Sequence, residues 1–93
     1  MNAELMLREH HAISENAFVE MVVWRLASPV SGSRHDFKYR LALVVDGRCV
    51  LRYDNEPGKG DHKHLGDDEI PYVFTTSQAL LDDFWGDVDD WRS

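Results

Sequence analysis

The sequence predicts an α+β fold: an antiparallel β-meander of four to five strands with a C-terminal helix packed on one face. Three observations carry that prediction. Apolar and polar residues alternate with period two over long parts of the first half of the chain. Asp46-Gly47 separates two such alternating runs, a strong local hairpin signal. Beyond Thr75 the apolar period lengthens to that of a helix.

Taken in order, Leu5, Leu7, His11 and Ile13 alternate with polar positions, and Phe18, Val22, Trp24 and Leu26 do so after the turn-prone Ser14-Glu15-Asn16. These read as a hairpin of two strands. Residues 6–11 contain good helix formers, but the stretch is too short to stand as a helix without caps. A second hairpin runs through Phe37, Tyr39, Leu41, Leu43 and Val45 and returns through Cys49, Leu51 and Tyr53. With a three-residue loop of Val45, Asp46 and Gly47, Leu43 faces Cys49, Leu41 faces Leu51 and Tyr39 faces Tyr53. One face is then wholly apolar. The other carries Lys38, Arg40 and Arg52, with Arg40 opposite Arg52, a like-charge pairing that costs a little stability. Solvation is the ordinary explanation of such a face; an anionic ligand is the functional one. After a loop over residues 56–69, residues 72–75 read as a short strand. A helix then starts at a Thr75-Thr76-Ser77 cap, with Gln78 placed for a capping box. Its stripe is Leu80, Leu81, Phe84, Trp85, Val88 and Trp91, and five aspartates fill the remaining faces.

Ninety-three residues make one small domain, spanning 1–93, which buries about two-thirds of its unfolded surface. The longest apolar run is residues 41–45, far short of the roughly 18 residues a bilayer span needs. No membrane association is expected. Glu4, Arg8, Glu9, His10 and His11 leave no secretory signal pattern at the start of the chain as given. The single cysteine, Cys49, excludes an internal disulfide framework and fits a reducing cytoplasm.

The net charge of −7 argues against a generic DNA-coating protein, yet it is unevenly spread. Residues 1–66 hold nine acidic and nine basic side chains, whereas residues 67–93 hold eight acidic groups against Arg92 alone. The global figure therefore averages a mildly cationic sheet and loop with an acidic helix. A division of labour is expected, with the former meeting phosphate and the latter recruiting a basic protein.

The segment Glu56-Pro-Gly-Lys-Gly-Asp-His-Lys-His-Leu-Gly-Asp68 is the part that core packing does not explain. Gly58-Lys59-Gly60 lacks the rest of a Walker phosphate loop, so nucleotide binding by that route is discarded. His62 and His64 with Asp61 or Asp54, or with Cys49, have a spacing compatible with a metal. Zinc sites need three or four protein ligands, however, and no second Cys or His cluster stands at a matching distance. No metal or cofactor is assigned. Metal-independent RNA cleavage needs a base for the 2′-hydroxyl, an acid for the leaving 5′-oxygen and cations for the charge building at phosphorus. Histidine suits the first two tasks near neutrality. His62 and His64 are the acid-base candidates, and Lys59, Lys63 and Arg52 the phosphate-binding ones. Arg40 and Lys38 extend the track, Tyr53 is placed to stack on a base, and Asp54 orients Arg52 or a histidine.

The segments AELMLRE, VEMVVWR, FKYRLALVVDG, LRYDNEPGKGDHKH and PYVFTTSQALLDDFWGDV together resemble the TumE family of small toxin-antitoxin proteins, over nearly the whole chain. The most specific part is Arg52-Tyr53-Asp54-Asn55 followed by Gly58-Lys59-Gly60-Asp61-His62-Lys63-His64. The resemblance implies a cytoplasmic toxin that cleaves RNA and inhibits growth, with a helix-turn-helix DNA-binding antitoxin as partner. The sequence is also compatible with a homodimer. Three rivals stand beside this reading: a non-catalytic protein that blocks a target by occupying it, a metal-dependent nuclease using His62, His64 and Asp61, and a regulatory partner without toxicity.

Overall fold

A computed structural model describes residues 3–92. The strands β1 (Glu4–Ser14), β2 (Ala17–Arg25), β3 (Phe37–Val45), β4 (Arg48–Glu56), β5 (Gly60–Leu65) and β6 (Asp68–Pro71) form one antiparallel sheet in chain order. The helix α1 (Ser77–Arg92) lies over β3 and β4. This is the expected meander with a C-terminal helix on one face. It has six strands rather than four or five, because the presumed loop over residues 56–69 is mostly the hairpin of β5 and β6. Residues 72–75, expected as a strand, form no regular element and lead straight into the helix.

The β3–β4 register differs from the expected one by two residues. Asp46 and Gly47 both have positive φ, 51° and 76°, which suits a two-residue turn whose twist matches that of the strands. Val45 thus pairs with Arg48, outside any loop. One extra residue, Val50, bulges from β4, and beyond it Leu43 pairs with Leu51 and Leu41 with Tyr53. A two-residue slip keeps every side chain on its face, so the apolar face survives. The expected Arg40–Arg52 opposition does not: Arg40 stands opposite Asp54, and Arg52 opposite Ala42.

Val19, Met21, Val23, Tyr39, Leu41, Leu43, Leu51 and Tyr53 form the apolar sheet face, and Leu80, Phe84 and Val88 of α1 cover it. Burying each of the larger side chains is worth about 1.5–3 kcal/mol. Thr76 caps the helix: its Oγ1 accepts from the Ala79 amide at 3.0 Å. Gln78 forms no capping box; one residue too early for that role, it donates to Asp82 at 3.0 Å. Trp91, expected in the buried stripe, is 45% exposed at the end of the helix.

The segment joining β2 to β3 folds back on the β4–β5 turn. Gly32 and Gly60 meet backbone to backbone, and a Cβ on Gly60 would lie 2.8 Å from the Gly32 carbonyl oxygen. The Gly58 amide donates to the Ser31 carbonyl at 2.7 Å. This clamp fixes the start of β5, and with it the phase in which His62, Lys63 and His64 alternate.

Candidate functional site

Because β5 is a strand, its side chains alternate. Asp61 and Lys63 point to the helix-covered face, whereas His62 and His64 point to the opposite one. Pairing with β4 sets His62 opposite Asp54 and His64 opposite Arg52. Four functional groups therefore converge on one patch of the uncovered face.

Arg52 Nε lies 3.0 Å from Asp54 Oδ2, and His62 Nε2 lies 2.9 Å from Asp54 Oδ1. His64 Nε2 is 4.0 Å from the same Oδ1 and 3.8 Å from Glu69 Oε2. An Arg52 Nη2 donor meets His64 Nε2 at 3.1 Å, so that nitrogen is the acceptor and holds a lone pair. The two imidazoles sit edge to face, with centroids 4.9 Å apart. Asp54 and His62 are nearly inaccessible, at 6% and 3% exposure, while the His64 and Arg52 side chains keep 22% and 29% of theirs. Solvent thus meets His64 and Arg52, with Asp54 and His62 behind them. Arg52 Nε, Asp54 Oδ1 and His62 Nε2 are buried and make no well-aligned hydrogen bond, despite their ion-pair distances. Native proteins rarely leave such groups unsatisfied without a use for them.

The other expected residues are distributed differently. Arg40 is exposed on the same face, directly across from Asp54. Lys38 lies on that face too, but its Nζ donates to the Asn55 carbonyl. Lys63 points to the covered face, where it pairs with Asp87 of α1 at 3.1 Å and lies 5.5 Å from the Tyr53 ring centroid. Tyr53, expected to stack on a base, is 1% exposed. It belongs to the core because strand alternation places it on the apolar face, edge-on to Phe84 and Tyr72. Burial raises its pKa above the ordinary tyrosine value, and the hydrogen bond to Asp87 adds to the effect. Lys59 is at the exposed β4–β5 turn and lines a separate cleft of about 380 Å³ with Arg34, His35 and Phe74.

Beside that cleft is a cluster the sequence reading missed. Asp61 accepts from Tyr39 at 2.6 Å and Ser33 at 2.8 Å, and lies 2.6 Å from His35 Nε2. His35 Nδ1 accepts from the Phe37 amide at 3.1 Å, so Nε2 is the donor to Asp61, and the ring stacks on Phe74 with centroids 3.8 Å apart. Burial, then Asp61, pushes the Tyr39 hydroxyl pKa up. Every polar atom of His35 is engaged, and the cluster ties the β2–β3 segment to β5. Its partners are 22 to 28 residues apart and share no short-range pattern that would have revealed them. Asp61 is thereby kept from His62 and His64. The third group that gathers with the two histidines is Asp54: Asp54, His62 and His64 bring one ligand atom each to within 4.8 Å of one another.

No helix among the described residues is long and apolar enough to cross a membrane. In comparisons with known proteins, no curated protein and no solved structure matches the chain. A family model described as Toxin TumE matches residues 2–92. That match covers nearly all of the chain, including the β4–β5 patch and α1, and on it the protein belongs to the TumE family of toxins, with the antitoxin partner that such a family implies.

Proposed function

We propose that this toxin is a metal-independent RNA endonuclease of the cytoplasm and that the Arg52, Asp54, His62, His64 patch is its active site. The observation that carries the reading is the convergence of two imidazoles, a carboxylate and a guanidinium on one strand pair of a toxin-family chain. In the reaction, the 2′-oxygen loses its proton to one base and attacks phosphorus. The bond from phosphorus to the 5′-oxygen breaks and that oxygen takes a proton, leaving a 2′,3′-cyclic phosphate and a 5′-hydroxyl. His62 and His64 carry the two proton transfers. Arg52 holds the phosphate and offsets its charge, and Arg40 extends the contact along the sheet. Asp54 orients Arg52 through one oxygen and His62 through the other. Lys63 and Tyr53, engaged with α1, have no part in this scheme.

The antitoxin in this reading is a helix-turn-helix DNA-binding protein, and the acidic surface of α1 meets its basic side chains. The test is inducible expression without the antitoxin. Wild type is expected to arrest growth and fragment cellular RNA, and His62→Ala/His64→Ala to do neither while still binding the antitoxin. Undiminished toxicity of the double variant would favour a protein that acts by occupying its target.

A further inference from the structure

We propose that Asp54, His62 and His64 form a binding site for one divalent transition-metal ion of the zinc class. Two independent observations support it. The first is the donor set: one carboxylate oxygen and two imidazole nitrogens, all within 4.8 Å of one another, with the closest pair at 2.9 Å. Ligands of a tetrahedral zinc ion lie about 3.3 Å apart, so small side-chain rotations bring the three atoms to bonding distance. The second is the state of those atoms. Asp54 Oδ1 and His62 Nε2 belong to residues more than nine-tenths buried, face each other, and lack aligned hydrogen bonds. A bound cation satisfies both.

The surroundings agree. Arg52 Nε holds Asp54 by Oδ2, which leaves Oδ1 turned toward the imidazoles, the way an outer group commonly orients a ligating carboxylate. Glu69 adds a second carboxylate 3.8 Å from His64 Nε2, on the solvent side of the three donors. His64 is the solvent-side ligand, and the Arg52 Nη2 that now meets its Nε2 is freed for solvent or phosphate when a metal takes that lone pair. Imidazole with one carboxylate suits zinc-class ions better than magnesium or calcium, which take mainly oxygen.

Binding stands on this geometry alone; its effect on cleavage rests on the proposed function. A metal on both Nε2 atoms ties up the two imidazoles that carry the proton transfers, so the loaded protein is the inactive form.

Calorimetric titration of the full chain with zinc, and the visible spectrum of its cobalt complex, test the site. One equivalent is expected to bind, with the ligand-field bands of four-coordinate cobalt. His64→Gln, at a partly exposed position, and Asp54→Asn are each expected to weaken binding about tenfold or more, with far-ultraviolet circular dichroism unchanged. Wild type that binds zinc no more tightly than folded His64→Gln would overturn the proposal. In the RNA-cleavage assay, one equivalent of zinc is expected to suppress activity and EDTA to restore it. Cleavage that requires zinc would overturn the acid-base scheme and leave the metal site standing, whereas cleavage indifferent to bound zinc would overturn the placement at these nitrogens.

Discussion

Asp54 shows how much one side chain organises here. Its two oxygens divide between Arg52 and His62, whose facing nitrogens, Nε and Nε2, are both buried. On the other face the same economy appears in the tyrosines. Tyr39 and Tyr53 bury their hydroxyls against Asp61 and Asp87, and both pKa values are raised from the ordinary 10.0 by burial first and the neighbouring carboxylate second. The consequence for stability has a definite sign. Below about pH 10 both states keep the phenol proton and nothing changes. Above it the unfolded chain ionises while the folded one does not, so stability falls as pH rises, by up to about 1.4 kcal/mol per pH unit for each tyrosine. Urea unfolding between pH 9 and pH 11 is expected to show the decline, and Tyr53→Phe to show a shallower one. An equal slope in the variant would mean that Tyr53 ionises alike in both states.

Among the elements, α1 packs on β3 and β4 and is tied to β5 by the Lys63–Asp87 pair. Phe84 is fully buried between β3–β4 and the rest of α1, so Phe84→Ala is expected to cost about 3–5 kcal/mol, against a total of roughly 5–15 kcal/mol for a domain of this kind. Chemical denaturation checks it, the midpoint falling steeply. The first hairpin forms as expected, but β1 is largely exposed and β2 buries Val19, Met21 and Val23 instead of the alternate set Phe18, Val22 and Trp24 on which the reading relied. The helix and the second hairpin were readable from sequence because each buries one apolar face and so carries a period. β5 was not: Asp61 and Lys63 alternate with His62 and His64, polar on both faces, and no hydrophobic pattern marks a strand. The β3–β4 register was misread for a related reason, since a two-residue slip preserves the alternation on which the reading relied. His62, His64, Arg52 and Asp54 were singled out as candidates by their chemistry. Their assembly into one patch, without Lys63 and Tyr53, follows from strand alternation, which a loop assignment hides.

At the level of the whole molecule, the sheet separates two surfaces of different character. One carries Arg40, Arg52, His62 and His64; the other is covered by a helix rich in aspartate, with Lys63 and Tyr53 bound to Asp87 beneath it. In the proposed function the first surface meets RNA and the second a basic antitoxin, two characters that the overall charge of −7 averages together. The claim that unites these features is that the uncovered patch cleaves RNA by acid-base chemistry. Its most direct test is incubation of purified protein with a defined RNA in excess EDTA, with the termini of any fragments identified. The account predicts fragments ending in 2′,3′-cyclic phosphate and 5′-hydroxyl, formed by wild type and absent with His62→Ala/His64→Ala. RNA left intact by a preparation that still arrests growth would contradict it.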